Sequence, residues 1–259
     1  MPELNNWPDI GVSTLGHVAI VEIQRPPNNF FDISLIIQLA EALEWADVTS
    51  DVRAVVLAAQ GKAFCAGASF SGDEGGNSDP GPGALYREAV RLFSTLKPIV
   101  AAVQGPAIGG GLGLCLVADF RIAAPEARFA ANFVKIGIHP GFGLTHTLPR
   151  LIGVQAASNL FYTGRRVDGA GAVALGLADE LVSLEDLRAR AIGFADELAA
   201  NAPLAVQATR RTLRANLAAA VKTQSDWEQE EQARLFKTAD FREGVRSVQE
   251  RRPGHWTAA

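Results

Sequence analysis

The residues best suited to chemistry lie in the stretch Gln104-Gly105-Pro106-Ala107-Ile108-Gly109-Gly110-Gly111-Leu112-Gly113-Leu114-Cys115-Leu116-Val117-Ala118-Asp119. The apolar run from Ile99 to Val103 reads as a strand leading in. Gly105-Pro106 breaks it, and three consecutive glycines then open an apolar segment of helical length. Glycine gives up more backbone entropy than any other residue on folding, so something must require a bare main chain there. One such requirement is a ligand approaching the first turn of a helix. The leading N–H groups of that turn have no intrahelical partner and sit at the positive end of the helix dipole. They can hold a carbonyl oxygen as it gains negative charge. Tight helix packing also selects glycine, and this stretch by itself leaves both readings open.

A second stretch has the same build. Arg53 to Ala59 is a short apolar run fit for a buried strand, and it leads into Gly61-Lys62-Ala63-Phe64-Cys65-Ala66-Gly67-Ala68-Ser69. Small residues crowding a turn just after a strand mark the place where ligands meet open α/β layers. From Ser71 to Gly83 the composition turns to Gly, Pro, Asp, Ser and Asn, which predicts a surface loop beside the site, a lid or gate.

The elements that must position these turns follow from hydrophobic periodicity. His17 to Ile23 alternates and is rich in β-branched residues, a strand pattern ended by Pro26-Pro27. Leu35, Ile36, Leu39, Ala42 and Leu43 recur at helical spacing, with Asp32 or Ser34 as N-cap. A helix is predicted from Ala84 to Leu96, strands at Phe120 to Ala123 and Asp179 to Val182, and a shaped loop from Phe129 to Gly143. Helices follow around 144–151, 155–162 and 168–175. From Leu184 onward the pattern is helical throughout, over 185–200, 203–217, 225–236 and 240–249. Strands and helices therefore alternate through the first two thirds, and helices fill the last third. The expected division is an α/β core over residues 1–183 and a helical region over 184–259 that covers the site and makes oligomer contacts.

Composition excludes several function classes. Of 259 residues, 48% are hydrophobic and 20% charged, an ordinary globular balance. The net charge of -4 offers no basic field for nucleic acid or an anionic membrane surface. Cys65 and Cys115 both sit in glycine-rich motifs among apolar neighbours. They read as small buried thiols in a reducing compartment, not as a disulfide or metal framework. The first six residues have neither a basic nor an apolar signal region, and no run reaches membrane-spanning length, so the expectation is a cytoplasmic protein.

Taken together, the two turns resemble those of the crotonase (enoyl-CoA hydratase/isomerase) superfamily. The likeness rests on Ala63-Phe64-Cys65-Ala66-Gly67-Ala68, on Gln104 to Gly111, and on Ala118-Asp119. Pro140-Gly141-Phe142-Gly143, Leu148 to Gly153 and Ala174 to Ala178 support it further. It runs from about His17 to the C-terminus. The resemblance implies a spiral of ββα units with a C-terminal helical trimerisation region, assembled as a homotrimer or a dimer of trimers. It implies an acyl-CoA thioester as substrate or ligand, with no further cofactor. The thioester carbonyl would sit in an oxyanion hole formed by the N–H groups of Ala68 and Gly110. Cys65, Ala66, Gly67 and Gly109 would line the bound ligand, and Arg25, with Lys62 second, would meet the CoA phosphates. Lys237 and Phe236 would close the nucleotide pocket of a neighbouring subunit.

The sequence also departs from that family. In hydratases of this kind, two glutamates hold and activate water. By register, their positions here are Gly113 and Phe133, and neither can transfer a proton. The aspartate nucleophile of the related dehalogenases would fall on Gly141. The expected activity is therefore a divergent hydratase, isomerase or thioester hydrolase, or acyl-CoA binding without turnover. His139 is the leading candidate for acid/base work, because it lies beside the second catalytic position and imidazole is the side chain most often used to move a proton. Asp73 and Glu74 on the lid, and Tyr86 and Arg87 as donors, are lesser candidates, and Asn132 is a candidate to orient a water or a substrate carbonyl. Asp119, at the end of an apolar helix, reads as a structural cap.

Overall fold

The computed structural model describes residues 7–68 and 82–259. The expected lid, with Asp73 and Glu74, lies almost wholly outside the described residues; only its end, Pro82-Gly83, falls within them, as the start of a helix.

In chain order the elements are β1 (Ile10–Leu15), β2 (Val18–Ile23), α1 (Ile33–Val48), β3 (Ala54–Ala59), α2 (Pro82–Leu92), β4 (Ile99–Val103), β5 (Pro106–Ile108) and α3 (Gly110–Cys115). Next come β6 (Phe120–Ala123), β7 (Arg128–Ala130), a 3-10 turn (Asn132–Ile136), α4 (Leu144–Ile152), α5 (Val154–Thr163), β8 (Val167–Asp168), α6 (Gly169–Ala174) and β9 (Glu180–Leu181). Four helices end the chain: α7 (Leu187–Ala199), α8 (Pro203–Leu213), α9 (Leu217–Leu235) and α10 (Ala239–Gln249).

Among the described residues the strands form two sheets. The larger has the order β1-β2-β3-β4-β6-β9, antiparallel only between β1 and β2. The smaller has the order β5-β7-β8. Strands β3 and β4 are buried at every position, as expected of central parallel strands covered on both faces. One face carries the main core, with α1, α2 and the glycine-rich helix α3. The opposite face packs Val56, Ala58, Val100, Ala102 and Ile122 against Leu187, Ala191, Ala195 and Ala199 of α7. Alanines four residues apart let that helix lie close to the sheet.

Local chemistry accounts for the boundaries. Asp32 caps α1 by accepting the Leu35 N–H at 2.9 Å, and Asp168 caps α6 through the Gly171 N–H at 2.8 Å. The predicted helix over 84–96 instead spans Pro82–Leu92. The remainder turns before Lys97-Pro98, where the residue ahead of a proline is pushed out of the helical region. Strand β1 was not anticipated: an edge strand of Gly, Ser and Thr has little periodic signal. Strands β5, β7 and β8 are three residues or fewer and exist through their pairing partners.

Candidate active site

The two glycine-rich turns meet main chain to main chain. The Cys65 N–H donates to the Pro106 carbonyl and the Ile108 N–H to the Cys65 carbonyl, both at 3.0 Å. Gly67 has φ +91°, and a Cβ there would stand 2.8 Å from the Ile108 carbonyl oxygen and 3.8 Å from the Gly110 nitrogen. Only glycine fits, for both conformation and space. Gly109 has φ +58° and turns the chain out of β5 so that α3 starts at Gly110. Its own N–H is taken by the Ala130 carbonyl at 2.8 Å. The pairing of Phe31 with Ala68 uses the Gly67 carbonyl, which accepts the Phe31 N–H at 3.0 Å. Among the described residues, neither the Ala68 N–H nor the Gly110 N–H finds a main-chain acceptor. Both residues are partly exposed.

Buried polar side chains hold the first turn in place. Asn29 is fully buried and gives its amide hydrogens to the carbonyls of Gln60 and Ala63, each at 2.7 Å. Its Oδ1 accepts the Arg25 N–H at 3.0 Å. From the other turn, Gln104 Nε2 donates to Ala59 and Ala63 carbonyls at 3.0 and 2.9 Å. Asn29 was not foreseen, because the Asn28-Asn29 pair after two prolines reads as an ordinary turn.

Aromatic rings cover the glycines. The Phe31 ring lies directly over Gly110, and Phe142 lies over Gly113, 2.8 Å from where a Cβ would be. The Phe133 ring and the Asn132 Oδ1 each stand 3.7 Å from the equivalent point on Gly109. The Phe31 and Phe142 ring centroids are 5.6 Å apart, and Phe93 packs on Phe142 at 6.5 Å. The Tyr86 hydroxyl occupies the place where a side chain on Gly141 would begin. That hydroxyl donates to Gln232 Oε1 at 2.8 Å, while Gln232 Nε2 donates to the His139 carbonyl at 2.9 Å. A carbonyl cannot donate, so the amide orientation is set and the tyrosine proton is committed to Gln232. Tyr86 offers lone pairs, not a proton, and burial raises its pKa. This removes it as a proton donor.

The other candidates are scattered. His139 is half-buried, with Nδ1 2.8 Å from the Pro140 carbonyl. Because that partner only accepts, Nδ1 carries the proton of the neutral ring and Nε2 is left as a base. Arg25 bridges Asp9 at 2.7 Å and Asp32 at 2.9 Å, and its hydrogen bond holds the Asp9 carboxyl below the usual range. Its charge is largely committed within the chain. Lys62 and Arg87 are exposed, as is Lys237, while Phe236 packs edge-on against Phe241 at 4.9 Å. Cys65 and Cys115 are fully buried, and burial pushes both thiols up to about 12. Asp119 accepts the Ile99 N–H and ion-pairs with Arg210 and Arg214, each at 2.8 Å, the structural role expected of it.

A family model for enoyl-CoA hydratase/isomerase matches residues 14–259. The chain belongs to the enoyl-CoA hydratase/isomerase family. Among the similar proteins is a probable enoyl-CoA hydratase of Mycobacterium tuberculosis, 37% identical over 235 residues, covering 89% of this chain and 90% of that protein. A short-chain-enoyl-CoA hydratase of Clostridium acetobutylicum is 32% identical, with 96% and 97% covered. The crystal structure of an enoyl-CoA hydratase/isomerase from Pseudoalteromonas atlantica superposes with a TM-score of 0.87 at 30% identity, covering 96% of this chain and 100% of that one. The α/β crotonase fold with its helical C-terminal region is thereby established. No described helix of this family member is long and apolar enough to cross a membrane.

Proposed function

We propose that this protein binds an acyl-CoA thioester with its carbonyl oxygen between the Ala68 and Gly110 N–H groups, and processes it through an oxyanion held there. The observation that carries this reading is the meeting of those two main chains at Gly67 and Ile108, with neither N–H given to another main-chain group among the described residues. A thioester that forms an enolate or a tetrahedral adduct gathers charge on one oxygen, and two fixed donors stabilise it without reorganising. Ala66, Gly67 and Gly109 then line the ligand, while Cys65, expected to do so, has no exposed surface and sits behind them. Membership of the family agrees with an acyl-CoA as partner.

Hydration by paired glutamates is not part of this proposal. Gly113 and Phe133 stand at the two expected positions, and His139, with Nε2 as its free base, is the proton-transfer group assigned instead. A panel of enoyl- and acyl-CoAs of graded chain length tests it. Turnover is expected on at least one, and His139→Ala should reduce that turnover at least about tenfold, within the range of a lost general acid or base. Full activity in His139→Ala removes His139 from the mechanism.

A second reading, acyl-CoA binding without chemistry, is favoured by the rings themselves. Phe142 behind Gly113 and Phe133 beside Gly109 make apolar walls where acids would stand. Calorimetry that finds acyl-CoA binding with no turnover across the panel selects it.

A further inference from the structure

Helix α9 turns a polar stripe inward: Ser225, Glu228 and Gln232 are all buried. Glu228 has no exposed surface. Its Oε2 accepts the Gly143 N–H at 2.7 Å, and its Oε1 accepts both the N–H and the hydroxyl of Thr145, at 2.9 and 2.6 Å. One helical turn further on, Gln232 holds the His139 carbonyl. These two side chains grip both ends of the 139–145 loop. Between them stands Phe142, a non-glycine residue with φ +68°, its ring over Gly113 and against Phe31. Phe31 in turn lies over Gly110. An unbroken line of contacts therefore joins Glu228 to Gly110.

Three donors converge on one carboxyl group. An ionised carboxylate has acceptor sites for all three, whereas a protonated carboxyl loses one acceptor site and carries an O–H that, of these groups, only the Thr145 hydroxyl can accept, by reversing its own bond. Protonation also removes the charge that strengthens the bonds from the Gly143 and Thr145 N–H groups, so the hold on the loop weakens. Among the described residues no cation is ion-paired with it. Other ionisable groups on the neighbouring elements are Tyr86 from α2, whose pKa the Glu228 charge helps to raise, and the exposed Arg87. Glu88 and Arg91 of α2 are paired with each other. From α4 come His146, whose pKa burial lowers, and Arg150, bound to the Leu213 carbonyl. His139 flanks the loop, and on α9 itself Asp226 pairs with Lys222 and Glu231 with Arg234, with Glu230 beside them.

We infer that Glu228 is a positioning residue for the acyl-CoA site: its ionised carboxylate holds Gly143 and Thr145 so that Phe142, over Gly113, backs the Phe31 ring that lies over Gly110. Uptake of a proton frees that loop and weakens acyl-CoA binding. This rests on the assignment of Ala68 and Gly110 as the thioester site. Burial pushes the carboxyl up to about 7 against the pull of its three donors, so the change falls in the ordinary pH range.

Calorimetry of the full-length protein with octanoyl-CoA, from pH 6 to pH 8, tests this with wild type, Glu228→Gln and Thr145→Val. Wild-type affinity should fall at least about fivefold from pH 8 to pH 6. Glu228→Gln should bind about fivefold or more weakly at pH 8, with a flatter profile that reports only the ligand's own phosphates. Thr145→Val keeps the carboxyl but removes one donor, so the acid-side loss should move up by about one pH unit. This variant carries the test if Glu228→Gln does not fold. A merely structural Glu228 predicts parallel profiles in all three proteins, and that result overturns the inference. Failure of the wild type to bind octanoyl-CoA or butyryl-CoA at any pH overturns the thioester site itself, and the inference with it.

Discussion

The two ends of the Gln104–Asp119 stretch treat polar groups in opposite ways. At its C-terminal end, Asp119 is saturated by the Ile99 N–H, Arg210 and Arg214, while the buried Arg121 guanidinium donates to the carbonyls of Ala118, Asp119 and Leu177. At its N-terminal end, the Gly110 N–H meets no main-chain acceptor among the described residues, and a phenylalanine ring lies close beside it. The difference lies in hydrogen-bonding capacity. Where a group spends its hydrogen bonds within the chain, as the Asp119 carboxylate does, it serves the fold; of its two arginines, Arg214 keeps one buried nitrogen, Nε, without a partner. Where a donor is left unspent beside apolar walls, it is available to a ligand.

The largest effect is expected at the saturated end. Asp119→Ala leaves Arg210 and Arg214 buried without their counter-charge, and loss of one partner of a buried pair costs about 3–5 kcal/mol. Thermal or denaturant unfolding should show that loss, while octanoyl-CoA affinity of the folded fraction stays within about twofold. At the unspent end the outcome should reverse. Ala68→Pro deletes a donor that the pairing with Phe31 does not use, so stability changes little. Turnover on the best substrate should fall by about 2.7–4 kcal/mol of barrier, or by some hundredfold to thousandfold. Should the protein prove non-catalytic, the same variant should lose acyl-CoA affinity instead. The smallest effect is expected between the two ends. Gly113→Glu places an acid at the hydratase position but drives its Cβ into the Phe142 ring. Overpacking of that kind costs about 1–3 kcal/mol. Unfolding should record it, with no gain of hydration on crotonyl-CoA. Appearance of hydratase activity in that single variant shows that Phe142 yields.

Much of this comparison was legible in the residue order. The two glycine-rich turns, their strands and the structural part of Asp119 followed from residue type and spacing, because bare main chain and helix starts are written locally. The family resemblance rested on those same motifs and was confirmed. The site's surroundings were less visible. Nothing along the chain marks Glu228 and Gln232, since many other positions of their helix are also charged or polar. Only the packing of α9 beside α2 and α4 buries them. Arg25 looked free to meet phosphate, yet Asp9 and Asp32 are brought to it by β1 and the start of α1. Tyr86 looked like a proton donor until the Gln232 amide, held by His139, fixed the direction of its hydrogen bond.

By itself, the sequence determined where the chain must turn without side chains, and that no glutamate stands at Gly113 or Phe133. These are properties of single residues and their neighbours along the chain. Tertiary structure alone decided which polar groups find partners within the chain and which do not. Hydrogen bonds such as those from Gly143 and Thr145 to Glu228 join residues more than eighty positions apart. No local pattern encodes such a partner, because it depends on which helix the folded chain lays across the loop.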